Sequence, residues 1–140
     1  MNIEKHIKAI QQQRILVIGD LMLDRFIWGN VNRISPEAPV PVVHVTHESA
    51  YPGGAANVAR NLAEFGVQAT ISGVVGKDDA AGQLLALLET SNIKTTAVLQ
   101  NELAKTIVKT RIIARHQQVV RVDREETKKI KNRDTDALMQ

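Results

Sequence analysis

Residues 51–66 read YPGGAANVARNLAEFG. Two adjacent glycines, Gly53 and Gly54, open a run in which Val58, Ala59, Leu62, Ala63 and Phe65 recur at helical spacing. Gly66 follows as a C-cap residue. A helix over 54–65 is therefore expected, beginning on a glycine pair. Such a start has two readings. The backbone turns tightly there and packs against a sheet, or a ligand approaches it closely. A helix N-terminus presents unpaired N–H groups, and glycine leaves no Cβ in the way. Asn57, one turn in, offers both a donor and an acceptor, which suits a sugar hydroxyl.

Working outward, RILVIGD (14–20) is a continuous apolar run ending in glycine, the pattern of a strand buried on both faces. Before it, IEKHIKAIQQ (3–12) places Ile3, Ile7 and Ile10 along one side of a short amphipathic helix. After residue 66, VQATISGVVG (67–76) reads as a strand and DDAAGQLLALLETSN (78–92) as a helix. Asp78 or Asp79 caps that helix, and Ala81, Leu84, Leu85 and Leu88 form its stripe. IKTTAVL (93–99) is a third strand. Strands alternating with helices indicate an α/β protein with a parallel central sheet.

Two segments do not alternate. Around Pro36, Pro39 and Pro41 helix is ruled out, and Arg25–Trp28 and Val42–Thr46 read as flanking strands, with Val43 and Val45 on one face. Residues 105–124 read as two strands about a turn near His116–Gln118, without the Asn-Gly signal of a secure hairpin. There Arg121 and Asp123 share one face, and Val120 and Val122 the other. The segments 24–46 and 105–124 are expected to pair as a small second sheet over the carboxyl ends of the main strands, where α/β proteins bind ligands. The closing EETKKIKNRDTDALMQ (125–140) is helix-like with a thin apolar stripe.

Composition narrows the function. At 140 residues and 44% apolar, one domain with a real core is expected. Phe26, Trp28, Tyr51 and Phe65 are the only aromatics, so aliphatic side chains carry the packing. Absence of cysteine excludes disulfides and thiolate metal sites. The charged, glutamine-rich N-terminus is no signal peptide, and no apolar run is long enough to span a bilayer. A soluble cytoplasmic protein without membrane partners is the expectation. The +3 net charge is small, with much of the excess in KKIKNR, so nucleic acid is not an expected partner.

The first strand ends GDLMLD (19–24), with one glycine and two acids. A dinucleotide fold needs G-x-G-x-x-G there, and the acids would repel a pyrophosphate, which argues against NAD. Asp20 and Asp24 instead emerge at a strand's carboxyl end, where an ionised acceptor binds hydroxyls well or simply caps a loop. His6, His44, His47 and His116 show no metal-ligand spacing, and no Gly-x-Ser-x-Gly elbow exists. No metal site is expected.

Together these residues carry a family resemblance. GGAANVA (53–59), six residues to Gly66 and nine more to Gly76, resembles the N-terminal signature of the ribokinase-like (PfkB) carbohydrate kinases. GDLMLD resembles the family's sugar-binding turn, with Asp24 at its hydroxyl-binding aspartate, and GVVGKDDAAG (73–82) resembles the segment that follows. GDLMLDRFIWGNVNRISPEAPVPVV (19–43) looks most like the branch of heptose 7-phosphate kinases joined to an adenylyltransferase half. The resemblance covers the chain after residue 12. It implies a ribokinase-like fold and ATP- and Mg²⁺-dependent phosphorylation of D-glycero-β-D-manno-heptose 7-phosphate at C1, for lipopolysaccharide core synthesis. It implies that Asp24, Gly53, Gly54 and Asn57 hold sugar hydroxyls. Segments 24–46 and 105–124 become a lid that closes over the sugar and pairs with a second subunit. Arg111 or Arg121 then faces the 7-phosphate, or makes only a lid-surface salt bridge, as Arg121 does if it meets Asp123.

The family also carries a Gly-Ala-Gly-Asp turn that supplies an anion hole and the catalytic base. The last glycine here is Gly82, so this chain holds no such turn and no catalytic residue. It is expected to be the N-terminal part of a kinase domain, with the sugar side but not the ATP side, inactive alone. The alternatives are a kinase of another sugar phosphate or a nucleoside, and a non-catalytic dimerisation module built on the lid strands.

Overall fold

The alternating strands and helices form one sheet, and the two segments that break the alternation form another. The structure is a computed structural model that describes residues 3–125. Its elements are α1 (Ile3–Gln11), β1 (Arg14–Ile18), β2 (Leu21–Ile34), β3 (Pro41–Gly54), α2 (Ala55–Glu64) and β4 (Gln68–Gly76), followed by α3 (Asp79–Thr90), β5 (Lys94–Asn101), β6 (Ile107–Ala114) and β7 (Gln117–Arg124). A three-stranded parallel sheet has the order β1-β4-β5, and a four-stranded sheet the order β3-β2-β6-β7. The second sheet joins the two non-alternating segments through the parallel pair β2–β6. The closing segment's helix-like reading falls, apart from Glu125, outside the described residues.

Helices α2 and α3 lie on one face of the parallel sheet. Ala56 and Ala59 of α2 and Ala81, Leu84 and Leu88 of α3 pack with Ile71 and Val75 of β4 and with Leu21, Leu23 and Val108 of the second sheet. The two sheets thus share one core. Small alanines at the contacts let α2 and α3 approach the strands closely, and Leu84 and Leu88 fill the space between layers. Leu85, placed on the stripe by periodicity, is only half-buried.

Three expectations are corrected. β1 is not buried on both faces: Val17 packs against the core, but Leu16 is 54% and Ile18 68% exposed. It is an edge strand, and no described helix covers its other side. On α2, Val58 and Phe65 point outward rather than into the core, because the buried side runs through Ala56 and Ala59. The isoleucine stripe of α1 is likewise exposed.

β2 and β3 are far longer than the short flanking strands expected. Proline does not interrupt them, because Pro36 and Pro39 sit in the connection, Pro41 opens β3, and Pro52 lies on a sheet-edge strand. Register shifts fall at Trp28/Gly29 and Val31/Arg33, where the ribbon bends. The β6–β7 turn is Arg115–His116, one residue earlier than read, with φ of 49° and 65°. Those angles match the primed two-residue turn that fits strand twist. Gly66 takes φ 81° after α2, as a C-cap glycine should, and donates to the Ala63 carbonyl at 2.8 Å. Among the described residues no helix is long and apolar enough to cross a membrane.

Candidate functional site

The glycine pair lies directly across from the strand that carries Asp24. In the β2–β3 ribbon Leu21 pairs with Gly54, Met22 with Gly53 and Asp24 with Tyr51. A Cβ on Gly53 would run into Asp24 Oδ2 and lie 2.8 Å from Met22 Cγ. Gly54 has φ 58°, which L side chains rarely adopt, and a Cβ there would lie 2.5 Å from the Asp20 carbonyl oxygen. That same oxygen accepts from the Ala55 N–H at 3.0 Å, and no side chain caps α2. The two readings of the pair therefore coexist. The glycines pack tightly on β2, and in doing so they place a ledge without side chains beside one carboxylate oxygen.

The other oxygen is engaged. Asp24 Oδ1 accepts from Arg111 Nη1 at 2.5 Å, and both side chains are about a fifth exposed. Arg111 reaches it from β6, whose register sets Arg111 beside Phe26, and its guanidinium lies 5.2 Å from the Phe26 ring centre. Alternation along β2 puts Asp24, Phe26 and Trp28 on one face. These three, with Tyr51 and Pro52 of β3 and Asn57 and Arg60 of α2, line a cavity of about 420 Å³, a size typical of small-molecule sites.

Three of the chain's four aromatics stand in that wall. Phe26 and Trp28 stack at 5.5 Å, Tyr51 meets Phe26 edge-on at 5.8 Å, and His47 stacks on Trp28 at 5.1 Å. Arg60 lies over the Tyr51 ring at 5.8 Å. Aromatic faces take the C–H side of a sugar, while Asp24 and Asn57 suit its hydroxyls.

The structure brings Asp24, Gly53, Gly54, Asn57 and Arg111 together. Arg121 lies beyond this group, on β7. It is the cross-strand neighbour of Arg111 and so shares its face, but its Nε donates to Asp123 Oδ1 at 3.0 Å in an exposed pair. Sequence reasoning missed Phe26, Trp28, Tyr51 and Arg60 as cavity residues. For the three aromatics the signal was their clustering at the two ends of the proline-rich excursion.

A second network mounts the four-stranded sheet on the core. Asp78 caps α3 by accepting from the Ala81 N–H at 3.0 Å, and it also accepts from the Thr106 N–H at 3.0 Å and hydroxyl at 2.7 Å. The Thr106 hydroxyl in turn accepts from the Gly76 N–H at 3.0 Å. Burial pushes the Asp78 carboxyl up, but the bonds from Thr106 and Ala81 and the charge of Lys105 outweigh it and hold the pKa below its ordinary value.

Among the described residues no three His, Asp or Glu side chains gather to hold a metal. No glycine follows Gly82 to build a phosphate cradle. Among the described residues neither a carboxylate cluster nor a glycine-rich turn beyond Gly82 is present to hold Mg²⁺ or ATP phosphates.

The chain matches the model of the pfkB family carbohydrate kinases over residues 12–140. A curated relative from Magnetococcus marinus, "Bifunctional protein HldE", is 54% identical over 117 residues, covering 84% of this chain and 24% of that protein. The protein of the same name from Pelobacter propionicus is 47% identical over 124 residues, covering 89% and 25%. The chain thus spans about a quarter of the length of the curated relatives it matches. Among solved structures, a carbohydrate kinase from Agrobacterium tumefaciens matches with a TM-score of 0.66 and 22% identity, covering 81% of this chain and 36% of that one. A fructokinase with bound ATP from Xylella fastidiosa matches with a TM-score of 0.56 and 21% identity, covering 79% and 32%. At such identities these two structures speak for the fold alone. The family match runs from β1 through the glycine pair and the second sheet to the last residue, and on that ground this chain belongs to the pfkB family of carbohydrate kinases.

Proposed function

We propose that this chain forms the sugar-binding side of a cytoplasmic kinase that phosphorylates D-glycero-β-D-manno-heptose 7-phosphate at C1, in the supply of the lipopolysaccharide core. The observation that carries the reading is the placement of Asp24 Oδ2 against the Gly53 ledge, beside an aromatic-lined cavity that Asn57 also lines. A carboxylate and an amide bind hydroxyls, the glycines keep the approach open, and the rings accept a C–H face. The choice of heptose rests on the likeness to the two HldE proteins and on the GDLMLDRFIWGNVNRISPEAPVPVV stretch.

In this reading Arg111 orients Asp24 through their ion pair, and Arg121 makes only its surface pair with Asp123. ATP, which the Xylella fructokinase carries, and Mg²⁺ are held by parts of the kinase domain outside this chain, so the 140 residues alone bind sugar without transferring phosphate. Residues 24–46 and 105–124 act as the lid. β7, an edge strand among the described residues with Val120 and Val122 about half exposed, is where a second copy joins to give a homodimer.

Isothermal titration of the chain with heptose 7-phosphate, fructose 6-phosphate and adenosine tests this. Saturable heat with the heptose and none with adenosine is expected. Preference for fructose 6-phosphate or adenosine would reassign the substrate, and turnover of heptose 7-phosphate with ATP by the chain alone would refute the division of the site.

A further inference from the structure

We infer that Arg60 receives the phosphate of the substrate, an inference that rests on the sugar-phosphate reading above. The cations on this side of the molecule differ in what already neutralises them. Arg111 is bonded to Asp24, Arg121 to Asp123, and Lys109 lies 3.9 Å from Asp123 and 3.6 Å from Glu125. Arg60 is half-buried, lines the cavity, and has no carboxylate within ion-pair distance among the described residues. A guanidinium withdrawn from water without a counter-ion is unfavourable, and an anionic ligand in the cavity removes that deficit.

The surroundings hold Arg60 ready. It sits one turn after Asn57 on α2, so both side chains project from the same helix face into the same cavity. Its guanidinium rests over the Tyr51 ring at 5.8 Å, and Tyr51 is the register partner of Asp24. The ring limits the arginine's freedom without consuming its N–H donors, and the planar fork matches two phosphate oxygens. One helix face therefore carries the hydroxyl-binding amide and the phosphate-binding cation, while Arg111 is left to hold Asp24.

The test measures phosphate preference, the ratio of affinities for heptose 7-phosphate and unphosphorylated D-glycero-D-manno-heptose, by titration of the full chain. Wild type, Arg60→Met, Arg60→Lys and Arg121→Gln are compared, each checked for its folded circular dichroism spectrum. Arg60→Met should weaken heptose 7-phosphate binding on the order of tenfold to a hundredfold, the worth of a charge-assisted bond. It should leave heptose binding within about twofold. Arg60→Lys should restore part of the loss, which a purely structural role would not produce, and Arg121→Gln should leave the ratio unchanged. A wild-type ratio in Arg60→Met, or its collapse in Arg121→Gln, overturns the inference and returns the phosphate to the lid. Equal wild-type binding of both sugars also overturns it while sparing the sugar site. Wild type that binds neither sugar refutes the proposed function itself.

Discussion

A methyl group at position 53 would occupy the space held by one Asp24 oxygen. Gly53→Ala must therefore move the carboxylate or the ribbon, and its cost should appear twice. Overpacking predicts a stability loss of about 1–3 kcal/mol, and displacement of Asp24 predicts loss of measurable sugar binding. Urea melts and titration check the two separately. Full sugar affinity in a destabilised Gly53→Ala protein would show that the glycine serves packing alone. At this scale the sequence was informative for glycines and acids, whose spacing is local. It was silent on Arg60, because its place over Tyr51 depends on how α2 returns against β3.

Among the elements, α3 and β6 are coupled through a single carboxylate. Asp78 supplies the cap of one and fixes Thr106, nearly fully buried, at the threshold of the other. Asp78→Ala removes a cap and strands a buried N–H, a loss of about 2–4 kcal/mol at neutral pH. The pH dependence follows from the lowered folded-state pKa. The ionised carboxylate stabilises fully above its ordinary unfolded value, and this contribution disappears as pH falls through the lowered folded value. The stability gap between wild type and Asp78→Ala should thus be flat near neutrality and shrink below about pH 4; denaturant melts across pH check it, and a gap that widens in acid would contradict the assignment. Element order and the α3 cap were legible in the sequence, since a helix stripe and a capping acid are near-neighbour features. The length of β2 and β3 was not, because edge position makes Pro52 harmless and only the assembled sheet reveals an edge. The apolar run of β1 misled for the same reason. It matches a strand covered on both sides, and coverage is a property of neighbours.

For the molecule as a whole, the two faces of the parallel sheet are unequal. One carries α2, α3 and the shared core; the other leaves Leu16 and Ile18 open among the described residues. Exposed aliphatic surface and a β7 edge unpaired among the described residues predict two kinds of association. In light scattering, Val120→Lys with Val122→Lys should turn the proposed dimer into monomer. Leu16→Lys with Ile18→Lys should suppress larger aggregates and leave the dimer intact. A dimer that survives the β7 charges and dissolves with the β1 charges would move the interface to the sheet face.

The Asp24–Arg111 pair closes across 87 residues of chain, which gives the site a position in time as well as in space. Contacts of such separation form late, after the local helices and the β2–β3 ribbon. On a ribosome adding roughly 5–20 residues per second, Arg111 emerges about 4–17 s after Asp24. Throughout that interval β2 presents a bare edge where β6 will lie. The half-made sheet is then open to a chaperone or to another nascent chain, and synthesis of β6 is the event that ends its exposure.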